Sequence, residues 1–474
     1  MSFRVPQLQP LLARLGLQTS LGSVALALLL PLFLAGCGPS EAEPPSRIFL
    51  ITVDTLRADH VEFQGYPAET TPFLSKLAEE SAVFTNAFSS AGHTTPSHAS
   101  LFTSLYPDQH GARENGQSFG RKLDTIATIL RERGYRTAAF SSVNFLVGLR
   151  AGFDFFDAHE RAASIYRPAH LTLERASRWI SRQDDTHPIF VWVHLFDVHE
   201  WGNASTDDRK RLKSISVTSE LNRSEKLAFL RENHGMDSGG ETTEEQLLRA
   251  IDNYDRRIVL VDRELERFFE TNNSSGEGNH SLWIFTADHG EGLFSHNYKG
   301  HGLKLFKEQL HVPLLIHSTD GFGSGRRIEG LARHVDILPT LAELTGSPVP
   351  PTQGLSLVSM IDGSSELDPT RTAYAQRKPV LVEKKGWVQT PDEMRTVYDL
   401  DYKYIHSTKE EDEFYDLRAD PLEAHNLIES APAELERYKQ VMSAYRSVFD
   451  QRKVKSSEVS EETKAELRSL GYTD

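Results

Sequence analysis

Arg47-Ile48-Phe49-Leu50-Ile51-Thr52-Val53 runs directly into Asp54, and Leu282-Trp283-Ile284-Phe285-Thr286 leads through Ala287 into Asp288-His289. The first run is β-branched and apolar without alternation, the pattern of a strand buried on both faces. The second reads the same way, as do 137–141, 189–195 and 312–316. Helical patterns separate these runs at 71–81, where Pro72 suits the first turn, and at 123–133, 169–181, 244–270 and 337–344. Buried strands alternating with helices predict an α/β fold, with a mostly parallel central sheet flanked by helices. In such sheets ligand-binding groups gather at the carboxyl ends of the strands. Asp54 and Asp288-His289 occupy two of those ends.

The rest of the chain organises around this sheet. The charge-rich stretch 201–245 has little strand character and reads as an insertion or lid. Gly346-Ser347-Pro348-Val349-Pro350-Pro351 reads as a boundary. It separates a catalytic domain at 47–345 from a smaller α+β subdomain at 346–474. That subdomain carries short strand patterns at 380–383 and 402–406 and a terminal helix near 431–449. No internal repeat is visible.

The amino end has a different character. An apolar stretch from Val24 to Leu34 follows a segment carrying Arg4 and Arg14. It closes on Leu34-Ala35-Gly36-Cys37, the single cysteine of 474 residues. A basic start, a short apolar core and small residues before a processing point describe a secretory signal. The ending resembles a bacterial lipobox. Residues 1–36 are therefore expected to be a lipoprotein signal peptide, with Cys37 lipidated and 37–46 a tether. That implies export and anchoring to a bacterial membrane, on its periplasmic or cell-surface face. With the only thiol so placed, no cysteine is left for a disulfide or for catalysis. Hydrophobic and charged contents of 39% and 25% are globular values, and the net charge of −15 argues against nucleic-acid binding.

Two carboxylates at one sheet edge are costly unless a cation compensates them. A third element meets them there: His93-Thr94-Thr95-Pro96-Ser97-His98-Ala99-Ser100-Leu101. Pro96 fits a first helical turn, which puts Thr94 and Thr95 at an amino end suited to a sulfate or phosphate. A threonine hydroxyl needs a metal or a base to become a nucleophile. Asp54, Asp288 and His289 are candidates to hold that metal. Taken singly, each aspartate or threonine is as readily a helix cap.

With these segments the chain resembles the sulfatase family of the alkaline phosphatase superfamily. The resemblance covers Ile51–Asp59, Thr94–Leu101 with Tyr106-Pro107, His194–His199, Thr286–Glu291, His334–Thr340 and Phe414–Leu417 with Asp420-Pro421 and Asn426-Leu427. It implies an ester hydrolase with one divalent metal on Asp54, Thr94, Asp288 and His289, acting on a small anionic ester or glycan. Zinc or manganese suits an imidazole-containing set better than calcium does. The resemblance also has departures. Formylglycine sulfatases carry Cys or Ser followed by x-Pro-x-Arg; Thr94 and His98 stand at those positions here. Asp54-Thr55 replaces two adjacent aspartates, and Ser141-Ser142-Val143-Asn144 replaces a Gly-Lys-Trp-His-like segment. What remains looks like the threonine-nucleophile branch, with Thr94 attacking and His301 or His199 moving the proton. Arg57, His98 and Lys304 are candidate substrate contacts. Two other readings are open: a phosphoethanolamine- or phosphoglycerol-type headgroup transferase, and a noncatalytic lipoprotein that binds anionic glycans.

Overall fold

β1 (Arg47–Val53) lies at the heart of an eight-stranded sheet, as its uniformly apolar sequence requires. The computed structural model describes residues 43–120, 123–159, 165–202, 206–236, 242–273, 280–365, 368, 371–378, 392–430, 432–450, 454–470 and 472. Cys37, the expected signal and the strand pattern at 380–383 lie outside these residues.

Besides β1, the sheet contains β2 (Ala82–Phe88), β3 (Arg136–Ser141), β4 (Phe155–Ala158), β5 (Ile189–Leu195), β6 (Ser281–Ala287), β7 (His311–Ser318) and β8 (Arg326–Arg333). Their spatial order is β4-β3-β5-β1-β6-β7-β2-β8. Every pairing is parallel except those of β7, which runs antiparallel to both β6 and β2. The reversal has a consequence for function. β6 ends and β7 begins at the same edge, so the connection from Asp288 to Leu310 stays over that edge.

Register aligns the strand ends. Val53 pairs with Leu195 on one side and Ala287 on the other. The next residues, Asp54 and Asp288, therefore emerge side by side. Phe49 and Trp283, also paired in register, stack at 3.8 Å and meet Phe268 from the helix Glu244–Asn272. Burying Phe49 contributes about 1.5–3 kcal/mol, so slipping this register would be costly.

A second, antiparallel sheet has the order β12-β11-β10-β9 and contains β9 (Ala373–Arg377), β10 (Met394–Tyr398), β11 (Tyr402–Ser407) and β12 (Glu413–Asp416). Side chains alternate between its faces with period two. Tyr374, Val397, Tyr404 and Phe414 pack against Leu435, Tyr438, Met442 and Phe449 of the helix Leu435–Asp450. Ala373, Ala375, Met394 and Tyr398 pack against Leu303, Leu305, Phe306 and Leu310. The second sheet thus supports the β6–β7 connection from behind, and Pro44–Asp474 forms one unit.

The insertion expected at 201–245 contains two helices, Thr206–Lys213 and Arg223–His234. Leu212 and Ile215 pack on Val259 and Leu260. No described helix is long and apolar enough to cross a membrane.

Candidate active site

Asp54, Thr94, Asp288 and His289 converge at the carboxyl edge, and all are fully buried. Asp54 follows β1. Thr55 turns the chain sharply there, in a left-handed conformation (φ 59°) that a β-branched residue adopts only at a cost of about 1–2 kcal/mol. Its amide donates to Asp288 Oδ1 at 3.2 Å, as does the His289 amide at 2.8 Å. One carboxylate oxygen of Asp288 is thereby fixed on the backbone. The other, Oδ2, has no hydrogen-bond partner, and neither does Asp54 Oδ1.

Thr94 opens the helix Thr94–Thr103, which is buried along its whole length. Its hydroxyl lies 3.3 Å from Asp54 Oδ2 and 3.4 Å from His289 Nε2. The adjacent threonine is engaged elsewhere: the Gly116 amide donates to Thr95 Oγ1, and the Thr95 amide donates to Asn115. Ser97 Oγ donates to the Asp288 carbonyl at 2.5 Å and so ties the helix to the end of β6. His289 Nδ1 donates to the Gly290 carbonyl at 2.8 Å, which leaves the Nε2 lone pair facing the carboxylates. Nε2 is 3.4 Å from Asp288 Oδ2 and 3.9 Å from Asp54 Oδ1.

The two acids respond oppositely to their surroundings. Burial pushes both carboxyl groups up. At Asp54 the His194 hydrogen bond and the nearby His199, His289 and His194 imidazoles outweigh burial and hold the group well below the usual carboxylate range. At Asp288 burial and the charge of Asp54 prevail and raise it to about 6. Among the described residues no lysine or arginine hydrogen-bonds either acid. Two orphaned carboxylate oxygens, an imidazole lone pair and a hydroxyl fit a divalent cation, and Asp54, Asp288 and His289 bring their donor atoms within 4.8 Å of one another. His98, His194 and Asp288 form a second such grouping. It is the weaker candidate, because both ring nitrogens of His98 are engaged.

His199 and His301 lie beside the cluster with their rings 5.0 Å apart, and His301 is 4.7 Å from His289. His199 Nδ1 faces Glu200 Oε1 at 3.1 Å. Burial lowers its pKa, but Glu200 and Asp54 outweigh burial and raise it overall. His301 Nδ1 faces Glu291 Oε2 at 3.2 Å while Nε2 has no partner, and burial lowers its pKa.

The three residues read as substrate contacts have other partners. Arg57 is buried, with its guanidinium on Asp59, the Glu291 and Gly292 carbonyls and Ser295 Oγ. His98 Nδ1 meets the Thr94 carbonyl at 2.8 Å and Nε2 meets Thr52 Oγ1 at 2.9 Å. Lys304 pairs with Glu410 at 3.2 Å on a partly exposed surface.

Two further residues belong to the site. His194 Nε2 lies 3.2 Å from Asp54 Oδ2, so His194 orients that carboxylate. Its place near the end of a buried strand was visible in the sequence, but which face it takes depends on register. Tyr472, just beyond the helix Glu461–Leu470, brings its hydroxyl within 2.8 Å of His199 Nε2. The phenol also interacts with the Thr94 side chain. Burial and the charges of Asp54, Asp288 and Glu200 raise its pKa well above the normal value, so it stays an O–H donor. Nothing local in the sequence around Tyr472 marks this role.

A buried hydroxyl beside a carboxylate and an imidazole, with a second carboxylate alongside at the end of a mostly parallel sheet, fits a hydrolase of sulfate or phosphate esters. The chain belongs to the sulfatase family: the Sulfatase family model matches residues 46–347, and one for the C-terminal part of N-sulphoglucosamine sulphohydrolase matches 301–451. A Delta 4,5-hexuronate-2-O-sulfatase of Bacteroides thetaiotaomicron is 22% identical over 88% of this chain and 91% of its own. A multifunctional alkaline phosphatase superfamily protein of Trinickia caryophylli is 24% identical, covering 80% and 90%. The crystal structure of a phosphonate monoester hydrolase of Agrobacterium radiobacter superposes with a TM-score of 0.65 at 21% identity, covering 86% and 96%. Sulfatase-family enzymes are metal-dependent, and the buried donor set of this chain accords with that.

Proposed function

We propose that this chain hydrolyses sulfate esters or phosphate esters with Thr94 as the nucleophile and one divalent cation, zinc or manganese, held by Asp54, Thr94, Asp288 and His289. The observation that carries the reading is the Thr94 hydroxyl, 3.3 Å from Asp54 and 3.4 Å from His289, beside two carboxylate oxygens without partners. The bound cation supplies Lewis-acid polarisation of the ester and lowers the pKa of the hydroxyl. With its hydroxyl proton released to solvent on metal loading, Thr94 Oγ forms a bond to sulfur or phosphorus as the bond to the leaving oxygen breaks. His199, held by Glu200, gives that oxygen a proton through the Tyr472 hydroxyl. Water then attacks sulfur or phosphorus, the bond to Thr94 Oγ breaks and frees the threonine oxygen, and His301 Nε2, oriented through Nδ1 by Glu291, takes the water proton. His98 positions Thr94 by bonding its carbonyl.

Arg57 and Lys304 are paired with acids, so positive charge near the cluster falls to the bound cation and to His199, whose pKa its carboxylate neighbours raise. That favours singly charged esters, sulfates or phosphodiesters, over phosphomonoester dianions. A sulfated sugar is one such substrate, in keeping with the hexuronate sulfatase among the relatives. Thr94→Ala is expected to abolish turnover of aryl sulfates and aryl phosphodiesters with the melting temperature kept. Denatured wild type quenched in turnover should carry the modification on Thr94; retained activity in Thr94→Ala refutes the assignment. Anchoring through a lipidated Cys37 is a further part of the proposal, and a Cys37→Ala chain that still fractionates with membranes rules it out.

A further inference from the structure

A second group of metal-ligating side chains lies outside the catalytic cluster. Asp59, His60 and His234 bring donor atoms within 4.8 Å of one another. Asp59 and His60 form the short turn Ala58–His60 that follows β1; His234 ends the helix Arg223–His234 of the insertion. The two imidazole rings are 5.1 Å apart.

Both histidines carry nitrogens that the protein does not satisfy. His60 is fully buried. Its Nδ1 lies 3.0 Å from Asp255 Oδ1, and Asp255 is held in turn by the Tyr66 hydroxyl at 2.9 Å and Lys226 at 2.8 Å. A carboxylate on Nδ1 fixes the tautomer and leaves Nε2 a lone pair, the arrangement typical of metal-ligating imidazoles. His60 Nε2 has no partner. His234 is 6% exposed, with Nε2 3.8 Å from Asp59 Oδ2 and Nδ1 unpartnered. An unsatisfied buried polar nitrogen is destabilising, and two in one place point to a ligand.

We propose that Asp59, His60 and His234 hold a second divalent cation of the zinc type. The charges nearby decide the type. Asp59 is paired with Arg57 and Asp255 with Lys226, so little free carboxylate charge remains to attract calcium or magnesium. Two imidazoles select a borderline-soft ion instead. Beside the group a cavity of about 220 Å³, lined by Asp59, Tyr66, Asn233 and His234 among others, leaves room for a water ligand. The ion would clasp the insertion to the segment that follows Asp54, fixing the far end of the turn on which the catalytic carboxylate sits.

The test is metal stoichiometry, which does not depend on turnover. The full chain, loaded with zinc and dialysed, should retain about two ions by mass spectrometry, and His60→Gln with His234→Asn should retain about one. Asp54→Asn with Asp288→Asn should lose the other ion and keep this one. Chelation should lower the melting temperature of the Asp54/Asp288 variant, but no longer that of a chain lacking both groups of ligands. If the double histidine variant misfolds, His60→Gln alone, whose amide can still donate to Asp255, replaces it. Wild-type metal content that the histidine substitutions leave unchanged overturns the proposal. Loss of the first ion with the second kept would instead bear only on the catalytic assignment.

Discussion

Tyr472→Phe probes the proposed proton path with little disturbance of the fold. The substitution removes one oxygen and keeps the ring, which packs 5.7 Å from Phe145 and 5.5 Å from both His199 and His301. The segment is held independently by Glu466, whose carboxylate accepts the Asn144 and Phe145 amides, and by Leu467 in the core. The melting temperature should therefore stay within a few degrees of wild type. The lost interaction is a 2.8 Å hydrogen bond to an imidazole whose pKa Glu200 keeps raised. Bonds to charged groups contribute about 1.5–3 kcal/mol, and each 1.4 kcal/mol is roughly tenfold in rate. We expect kcat/KM for an aryl phosphodiester or aryl sulfate to fall about 10- to 150-fold, mostly in kcat. The loss should be smaller for esters with good leaving groups, which need less protonation. Wild-type kcat with a changed KM would refute the proton path. A rise in activity would mean that the phenol blocks the site and that substrate must displace it.

Removing bound metal with a chelator should abolish turnover, and manganese or zinc should restore it; Asp288→Asn should raise the metal concentration needed by about tenfold or more. His296 carries a pH signature in stability. Burial lowers its pKa, but Glu308 at 3.0 Å and the Glu423 carbonyl outweigh burial and raise it to about 9. Its folded value exceeds the unfolded one near 6.5, so the imidazolium stabilises fully below pH 6.5 and the gain is lost as pH rises to 9. The change is on the order of 2–3 kcal/mol in urea unfolding, and His296→Gln should flatten it. Gly302 adopts φ +72°, and a Cβ there would overlap the His93 ring. Gly302→Ala should cost about 1–3 kcal/mol and depress kcat by shifting His93, the residue before Thr94; unchanged stability and rate would show that the turn adapts freely.

The sheet was legible where burial on both faces left a uniform apolar run, as in β1, β5 and β6. Their terminal acids follow from the same reading, because a strand end is where a polar residue can first appear. β2 and β8 were missed for a matching reason. Thr85 and Asn86 interrupt β2 where its pairing slips register, and β8 begins Arg-Arg-Ile-Glu at an exposed edge. The cluster of Asp54, Thr94, Asp288 and His289 followed from segment type and order. Apart from the nearby Asp59, the partners of Arg57 lie 234–238 residues away at Glu291, Gly292 and Ser295. Tyr472 is equally remote from His199, at 273 residues. Such contacts are set by how the β6–β7 connection and the last helix lie on the sheet edge, and no local pattern encodes that.

Charge balance joins the departures from the family pattern to the proposed chemistry. The position where a formylglycine sulfatase keeps arginine holds His98, and burial drives its pKa well below the usual value, so it brings no positive charge. Arg57, the nearest arginine along the chain from Asp54, is paired with Asp59. The carboxylates at Asp54 and Asp288 thus have oxygens that no described lysine or arginine neutralises, and both sit where solvent does not reach. A buried pair of this kind persists only if one acid is protonated or a cation sits between them. The raised pKa of Asp288 is the first solution in the absence of metal. A divalent ion is the second, and it alone also places positive charge against the Thr94 hydroxyl. Substituting threonine for a modifiable cysteine or serine and histidine for arginine therefore makes one coherent change. On the proposed reading, the neutral support residue leaves a bound cation to supply the positive charge that an unmodified Thr94 hydroxyl needs in order to attack.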